Sequence, residues 1–586
     1  KPANLSACRI GKASLFRQTH RDPQLWITLT KRTSPNRQLA KFFLLAFTGV
    51  AVLMLTLHYA GSALSGSDGD VSAVDEDANS VSSIIREEPQ QLNSARATDS
   101  ISGMALGHVM EGLVRMGLDD RLEGAVAERW EVTPTKATFW LRKNAKWSDG
   151  QPVTAADFIF AWQTALKPET GSQYAFLLFA IQHAEAINQG TLPASELGVS
   201  APDPYTLVVE LARPVPFFDK TLVFPTFLPI REDFYNATNG RFGADADQLL
   251  YNGPFQISRW VHGSSMTFER NPYFWNQDEI HLDTIHVPYI TSDATASLNF
   301  FKDGKIAITG LQAENLNEAM RMGWQIRQHR DGTVFFLEFN HRAGRVTNNV
   351  NLRRALQLAL DMDEMVYKVT KLPGYEPGVS LFPGWLMGEE KLLRQEYPPE
   401  KITPNESLAK QYLQKALQEL GLREAPTVVL LTGDNPISSV QSEWVQQTLK
   451  TKLGINVKID KQIFKQRLAK MTSGEFDIVL AGWGPDYNDP LTFGDRFASW
   501  NKNNRGRYTS PELDALIDIA QSRLEPAVRM RAFGDIQQHL IDQAVLLPMY
   551  ERGVTYVVDP RIKQLKRRVI GPDPDVSRAY IDTPGE

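Results

Sequence analysis

The residues best equipped for chemistry in this chain lie in the run Gly482-Trp483-Gly484-Pro485-Asp486-Tyr487-Asn488-Asp489-Pro490. It joins a large aromatic surface, a Gly-Pro bend and two carboxylates. Such a set can hold a ligand: a carboxylate against a cation, an indole against apolar surface, glycine backbone at close approach. The plain alternative is a surface turn in which Asp486 or Asp489 caps the next helix. Catalytic patterns are missing by comparison. The sequence contains no H-E-x-x-H, no G-x-x-x-x-G-K-[ST] loop and no G-x-S-x-G elbow. Ser407 with Lys410, and Ser499 with Lys502, satisfy S-x-x-K, but no K-T-G partner accompanies them. His281, Asp283 and His286 invite a metal reading, yet a five-residue gap puts the histidines on no common helix or strand face. The single cysteine, Cys8, allows neither an intramolecular disulfide nor a thiolate cluster. No metal, no cofactor and no catalytic set is expected.

The elements that must position the loop are legible around it. TVVLLT reads as a buried strand, SSVQSEWVQQTLKTKL as a helix, INVKID as a strand, FKQRLAKMTSG as a helix and FDIVLAGW as a strand. This βαβαβ order implies parallel strands covered by helices. Ligands of such sheets bind beyond the carboxyl ends of the strands, where the loop at 482–490 begins. Elsewhere, Thr154 and Asp157 form a capping box ahead of the stripe Phe158, Ala161, Trp162 and Ala165. Leu352, Ala355, Leu356, Ala359 and Leu360 form a second stripe, and Thr403-Pro404 opens a third helix that Gly421 closes. TLVVEL, SMTFER and VFFLEF read as further strands.

Charge divides the chain. Residues 1–60 carry nine of the 63 Lys and Arg but only one acid, Asp22, which leaves a body of 54 bases and 67 acids. A body of net charge −13 is a poor general binder of nucleic acid, and none is expected. Residues 42–60 (FFLLAFTGVAVLMLTLHYA) are apolar at fifteen of nineteen positions and contain no Lys, Arg, Asp or Glu. At 1.5 Å per residue they reach about 28 Å, enough for a bilayer core. Arg37 and Lys41 precede them, and Asp68, Asp70 and Asp75 follow. The positive-inside rule makes 1–41 a basic cytoplasmic leader, 42–60 a transmembrane anchor and the rest extracytoplasmic. A cleaved signal, cut near Gly61-Ser62-Ala63, is the alternative. Residues 61–80, rich in Gly, Ser and Asp, read as a flexible linker.

Several segments resemble one family. Ala127-Glu128-Arg129-Trp130-Glu131, LRKNAKWSDGQPVTAADFIFAWQ (141–163), LGVSAPDPYTLVVELARPVPFF (197–218), NGPFQISRWV (252–261), ERNPYFW (269–275), LRRALQLALD (352–361) and FDIVLAGWGPDYNDPLTF (476–493) are similar, in order, to the extracellular solute-binding proteins, family five. Within that family the likeness is to the oligopeptide-binding proteins of bacterial ABC importers. It implies an α/β, two-lobe periplasmic binding protein fold with a hinge plus an additional small α+β domain, preceded here by one transmembrane helix. By correspondence, lobe one would comprise 81–110, 235–337 and 554–586, the extra domain 111–234, and lobe two 338–553.

The resemblance also implies roles. Asp486 matches the aspartate that pairs with a peptide's α-ammonium, since a buried charge needs a compensating one. Trp483 flanks the ligand backbone beside Tyr487, and main-chain groups around Gly482, Gly484 and Ser100 pair with the peptide like added strands. Trp147-Ser148-Asp149-Gly150 is expected to be a structural turn. Two departures stand out: Leu480 replaces an arginine found in some oligopeptide binders, and Arg342 is the candidate substitute for holding the ligand's carboxylate. The expected function is an extracytoplasmic, monomeric binding component that closes on a short peptide and delivers it to an inner-membrane ABC permease, with no cofactor and no covalent step. The alternatives are a membrane-anchored ligand-sensing ectodomain and a binder of a non-peptide ligand such as a sugar oligomer or metal chelate.

Overall fold

The computed structural model describes residues 71–582, in one compact unit. The expected anchor at 42–60 and residues 61–70 of the expected linker lie outside the described residues; residues 71–80 are not a free tether, since Val74–Asp75 pairs antiparallel with Ser80 and Val81. Among the described residues no helix is long and apolar enough to cross a membrane.

Three sheets organise the chain. A five-stranded sheet runs in the order Val74–Asp75, Ser80–Ile85, Thr284–Ile290, Ser265–Arg270, Phe255–Val261. Its one parallel pairing joins Ser80–Ile85 to Thr284–Ile290 across some 200 residues of sequence. That gap is filled by a four-stranded antiparallel sheet, Ala127–Val132, Lys136–Leu141, Thr206–Glu210 and Val199–Asp203, backed by helix Ala155–Leu166. There the capping box forms as expected, with Thr154 N–H donating to Asp157 Oδ2 at 2.8 Å. The Trp147–Gly150 turn is structural too: Trp147 is buried, and its indole N–H donates to Asp157 at 3.3 Å. Gly150 sits at φ +86°, where an added Cβ would come 3.2 Å from the Tyr273 ring.

The third sheet carries the βαβαβ unit. Thr427–Gly433 pairs in parallel with Asn456–Gln462 along its whole length, and with Ile478–Trp483 only through Leu430↔Ile478 and Leu431↔Val479. Helix Pro436–Leu453 is capped by Asn435, and helix Phe464–Ser473 stops at Gly474. Helices Val350–Ala359 and Glu406–Leu420 pack with Pro436–Leu453 into one apolar cluster. The latter helix starts two residues later than Thr403-Pro404 suggested, because the Asn405 side chain accepts the Leu408 N–H and is the better cap.

Two long antiparallel strands, Arg327–Phe339 and Leu546–Val558, cross the molecule. At one end Leu546–Val558 pairs with Ile308–Leu311, and there Leu311 and Val557 pack with Leu298 and Ala319. At the other, Arg327–Phe339 pairs with Ile478–Trp483. The register shifts between Arg330 and Val334, leaving Asp331-Gly332-Thr333 as a bulge. Arg552 lies beside it and donates from Nε to Asp331 Oδ2 at 2.6 Å. Burial alone would raise the Asp331 carboxyl, but Arg552 holds it below the usual range.

Candidate functional site

Strand Ile478–Trp483 forms because its β-branched and aliphatic residues are buried on both faces between neighbouring strands. Its partner Thr427–Gly433 drops away after Val479, so one edge of residues 480–483 leaves the ladder. An unpaired edge at the carboxyl end of a sheet suits an incoming extended chain. Gly482 is exposed there, opposite Phe335, and an added Cβ would lie 3.0 Å from that ring. Gly484 has more room, its nearest neighbour being Thr333 Oγ1 at 3.4 Å. Trp483 is fixed by an indole N–H donated to the Thr492 carbonyl at 2.7 Å.

The loop divides the two roles that pattern left open between its carboxylates. Asp489 is structural: it accepts the Leu491 N–H at 3.1 Å, at the start of helix Leu491–Gly494, and pairs with Arg529 at 2.8 Å. Asp486 caps nothing. Its own N–H is tied to Thr492 Oγ1 at 2.8 Å. One carboxylate oxygen accepts the Tyr174 hydroxyl at 3.3 Å. Among the described residues no cation lies at ion-pair distance from it. Burial and the nearby Asp495 push the Asp486 carboxyl well above the usual range, against smaller opposing effects of Tyr174 and Arg496. Burial likewise pushes Asp495 up to about 8. Arg496, the nearest base, is already paired with Glu338 at 2.8 Å.

The other expected residues scatter. Tyr487 is 1% exposed, its ring stacked on Phe217 with centroids 5.9 Å apart, so it offers no free face. Ser100 is exposed at the start of helix Ser100–Val109, whose cap is Asp99. Arg342 is not brought to Asp486. It follows Phe339, opposite Ile478, whereas Asp486 follows Trp483; the strand between spans roughly 17 Å. Its guanidinium donates to the Arg505 carbonyl at 2.7 Å and to Asn340 at 3.1 Å. Leu480 is 1% exposed and faces the apolar cluster under the sheet.

Three residues around this strand and loop carry no recognisable sequence signal. Tyr174 comes from the four-stranded domain, 312 residues before Asp486, and also stacks near Trp483 at 6.3 Å. Arg467, on the helix before the strand, donates to the Leu480 carbonyl at 3.0 Å, while its Nε is buried without a partner. Glu87, just past Ser80–Ile85, has a buried Oε2 without a partner. Burial raises the Glu87 carboxyl, and the Arg467 charge opposes that shift.

Comparison with known proteins bears on the family and the fold. The family described as Bacterial extracellular solute-binding proteins, family 5 Middle, matches residues 121–505. The Dipeptide-binding protein DppE of Bacillus subtilis (strain 168) is 30% identical over 486 residues, covering 83% of this chain and 89% of the relative. The structure titled Listeria monocytogenes OppA bound to peptide superposes with TM-score 0.81 at 28% identity, covering 86% of this chain and 99% of that one. The unliganded open form of MppA, a periplasmic murein tripeptide binding protein, gives only 0.59 at 25% identity, covering 87% and 99%. The chain superposes better on that peptide-bound relative than on that open one. The chain belongs to the bacterial extracellular solute-binding proteins, family 5.

Proposed function

We propose that this chain is the extracytoplasmic binding component of an ABC importer, which closes its lobes around a short peptide and presents it to a permease in the inner membrane. The observation that carries this reading is Asp486: a half-buried carboxylate with no cation at ion-pair distance among the described residues, set just past an unpaired strand edge. A peptide's α-ammonium supplies a countercharge for Asp486, and its backbone can pair along residues 481–484 whatever its side chains. Relatives named for dipeptide and oligopeptide binding support the ligand class.

In this reading residues 81–110, 235–337 and 554–586 form lobe one, 338–553 lobe two, and closure turns on the bulge at 331–333. The body acts as a monomer, held at the outer face of the inner membrane by residues 42–60, and performs no covalent step. Native mass spectrometry of the protein purified from a bacterial periplasm tests the proposal. Co-purified short peptides are expected; a sugar oligomer or a metal chelate in their place overturns the ligand assignment. Turnover of peptide or ester substrates by the purified protein overturns the binding role itself.

A further inference from the structure

The inserted domain at 111–234 makes two kinds of contact. With the segments assigned to lobe one it is continuous in chain at both ends. It is also tied to them side by side: Arg115 pairs with Glu279 at 2.9 Å, and the Ser148 N–H donates to the Tyr251 carbonyl at 2.6 Å. The domain therefore moves with lobe one. Its other contacts reach residues 486–529, in the segment assigned to lobe two, and no chain connection supports them directly.

An aromatic pair carries this second set. The Phe217 ring lies parallel to Tyr487, with 3° between the planes and 5.9 Å between the centroids. Such an offset stack is a favoured geometry for two rings. The Arg529 guanidinium lies 4.9 Å from the same Phe217 ring. Asp489 holds it at 2.8 Å, from the loop that carries Tyr487. Both rings are buried, Phe217 to 4% exposure and Tyr487 to 1%. Two polar contacts accompany the stack: the Tyr174 hydroxyl on Asp486, and Arg213 donating to Gln521 Oε1 at 2.8 Å across 308 residues. Aromatic residues and arginine at a desolvated centre are the composition of an interface that holds.

The stack and the ligand carboxylate share one loop, since Tyr487 follows Asp486 directly. Every partner in the stack belongs to the chain itself, so it can form with the cleft empty. We propose that the inserted domain is a strap, which fastens to lobe two through Phe217 and Tyr487 whether or not a ligand is bound. Phe217 is then a positioning residue that acts on the Asp486 loop through Tyr487. A contact that must open before a ligand leaves acts chiefly on release. The inference rests on the lobe assignment proposed above.

Hydrogen exchange of the full-length protein in mild detergent, first without peptide, tests it. In Phe217→Ala, residues 484–495 should exchange at least about fivefold faster. Strand Lys136–Leu141 and helix Ala155–Leu166 should keep the wild-type rate. In Tyr487→Ala the acceleration should appear at 211–222, on the opposite side of the stack. Tyr487→Phe, which keeps the ring, should match the wild type. Wild-type rates at 484–495 in Phe217→Ala and at 211–222 in Tyr487→Ala overturn the strap. So does acceleration in Phe217→Ala confined to the inserted domain itself. Oligoalanines of three to six residues are then added in turn. The tightest should leave Phe217→Ala at least about tenfold faster than it leaves the wild type, with association no slower. Equal release rates overturn the strap and spare the peptide reading. No response of the wild type to any of these peptides, with the peptide-free results as expected, overturns the peptide reading and spares the strap.

Discussion

The Tyr174 hydroxyl meets a carboxylate oxygen of Asp486 at 3.3 Å, across 312 residues of sequence. It thereby joins the four-stranded domain to the loop that ends the βαβαβ unit. A neutral donor at that carboxylate orients it without neutralising it, so its charge remains available to a ligand.

Asp486→Ala should weaken peptide binding by about 2–5 kcal/mol, roughly 30- to several-thousand-fold, because the ligand's ammonium would be enclosed without a partner. The empty protein should not be destabilised, since the carboxylate caps no helix and makes no ion pair. Calorimetry with a free and an N-acetylated tripeptide checks both halves. Acetylation should cost the wild type about as much as the mutation does, and should cost the mutant little.

Affinity should fall with acidification. Burial and Asp495 hold the empty Asp486 carboxyl well above its ordinary value, and only the ionised form attracts an ammonium. Below its folded-state pKa, binding must expel a proton. Titrations in two buffers of different ionisation enthalpy should therefore show proton release that grows as pH is lowered.

Asp495 gives the opposite sign for folding stability. Burial raises it to about 8 in the folded state, whereas unfolded it titrates near 4. Between those values the folded state holds a proton that the unfolded state has lost, so stability falls as pH rises, by about 1.4 kcal/mol per unit from this group. Asp495→Asn should flatten the pH dependence of chemical denaturation over that window and leave the protein more stable at pH 8.

Much of this was legible where local pattern and global role coincide. The strands and helices of 427–483 follow directly from hydrophobic period, and Thr154 with Asp157 caps the helix that spacing predicts. The crossing strands were visible only in part. VFFLEF is six residues of a thirteen-residue strand, because RQHRDGT passes through the bulge and carries polar groups that do not alternate. In the sequence Arg467 is one more charge on a helix, and Tyr174 one more aromatic. Both acquire meaning only when residues hundreds of positions apart are folded together. Arg342 was drawn in by family correspondence, and its guanidinium serves the backbone turn at Asn340 and Arg505 instead.

Gly332 should control closure. It sits at φ +76° in the bulge, and an added Cβ would come within 2.6 Å of Val569, 3.1 Å of Trp385 and 3.2 Å of Pro485. Val569 lies in the segment assigned to lobe one, Trp385 and Pro485 in that assigned to lobe two. Gly332→Ala should push these apart in the closed form, beyond the cost of about 1 kcal/mol for a left-handed alanine. Small-angle scattering should show a larger radius of gyration at saturating peptide than the wild type shows, with weakened affinity.

The ion pair beside that bulge should matter for folding more than for binding. Asp331 is 8% exposed, and Arg552 keeps 27% of its side chain accessible. Asp331→Ala would strand Arg552 beside Arg86, with no carboxylate between two like charges. Removing one member of a fully buried pair costs about 3–5 kcal/mol; the partial access of Arg552 reduces this to roughly 2–3 kcal/mol. Chemical denaturation of the wild type and mutant, each without peptide, measures the loss. Asp331→Asn should recover little of it, because an amide accepts one hydrogen bond from Arg552 but returns no charge. If both mutants match the wild type within 0.5 kcal/mol, solvent already compensates Arg552 and the pair does not hold the crossing strands together.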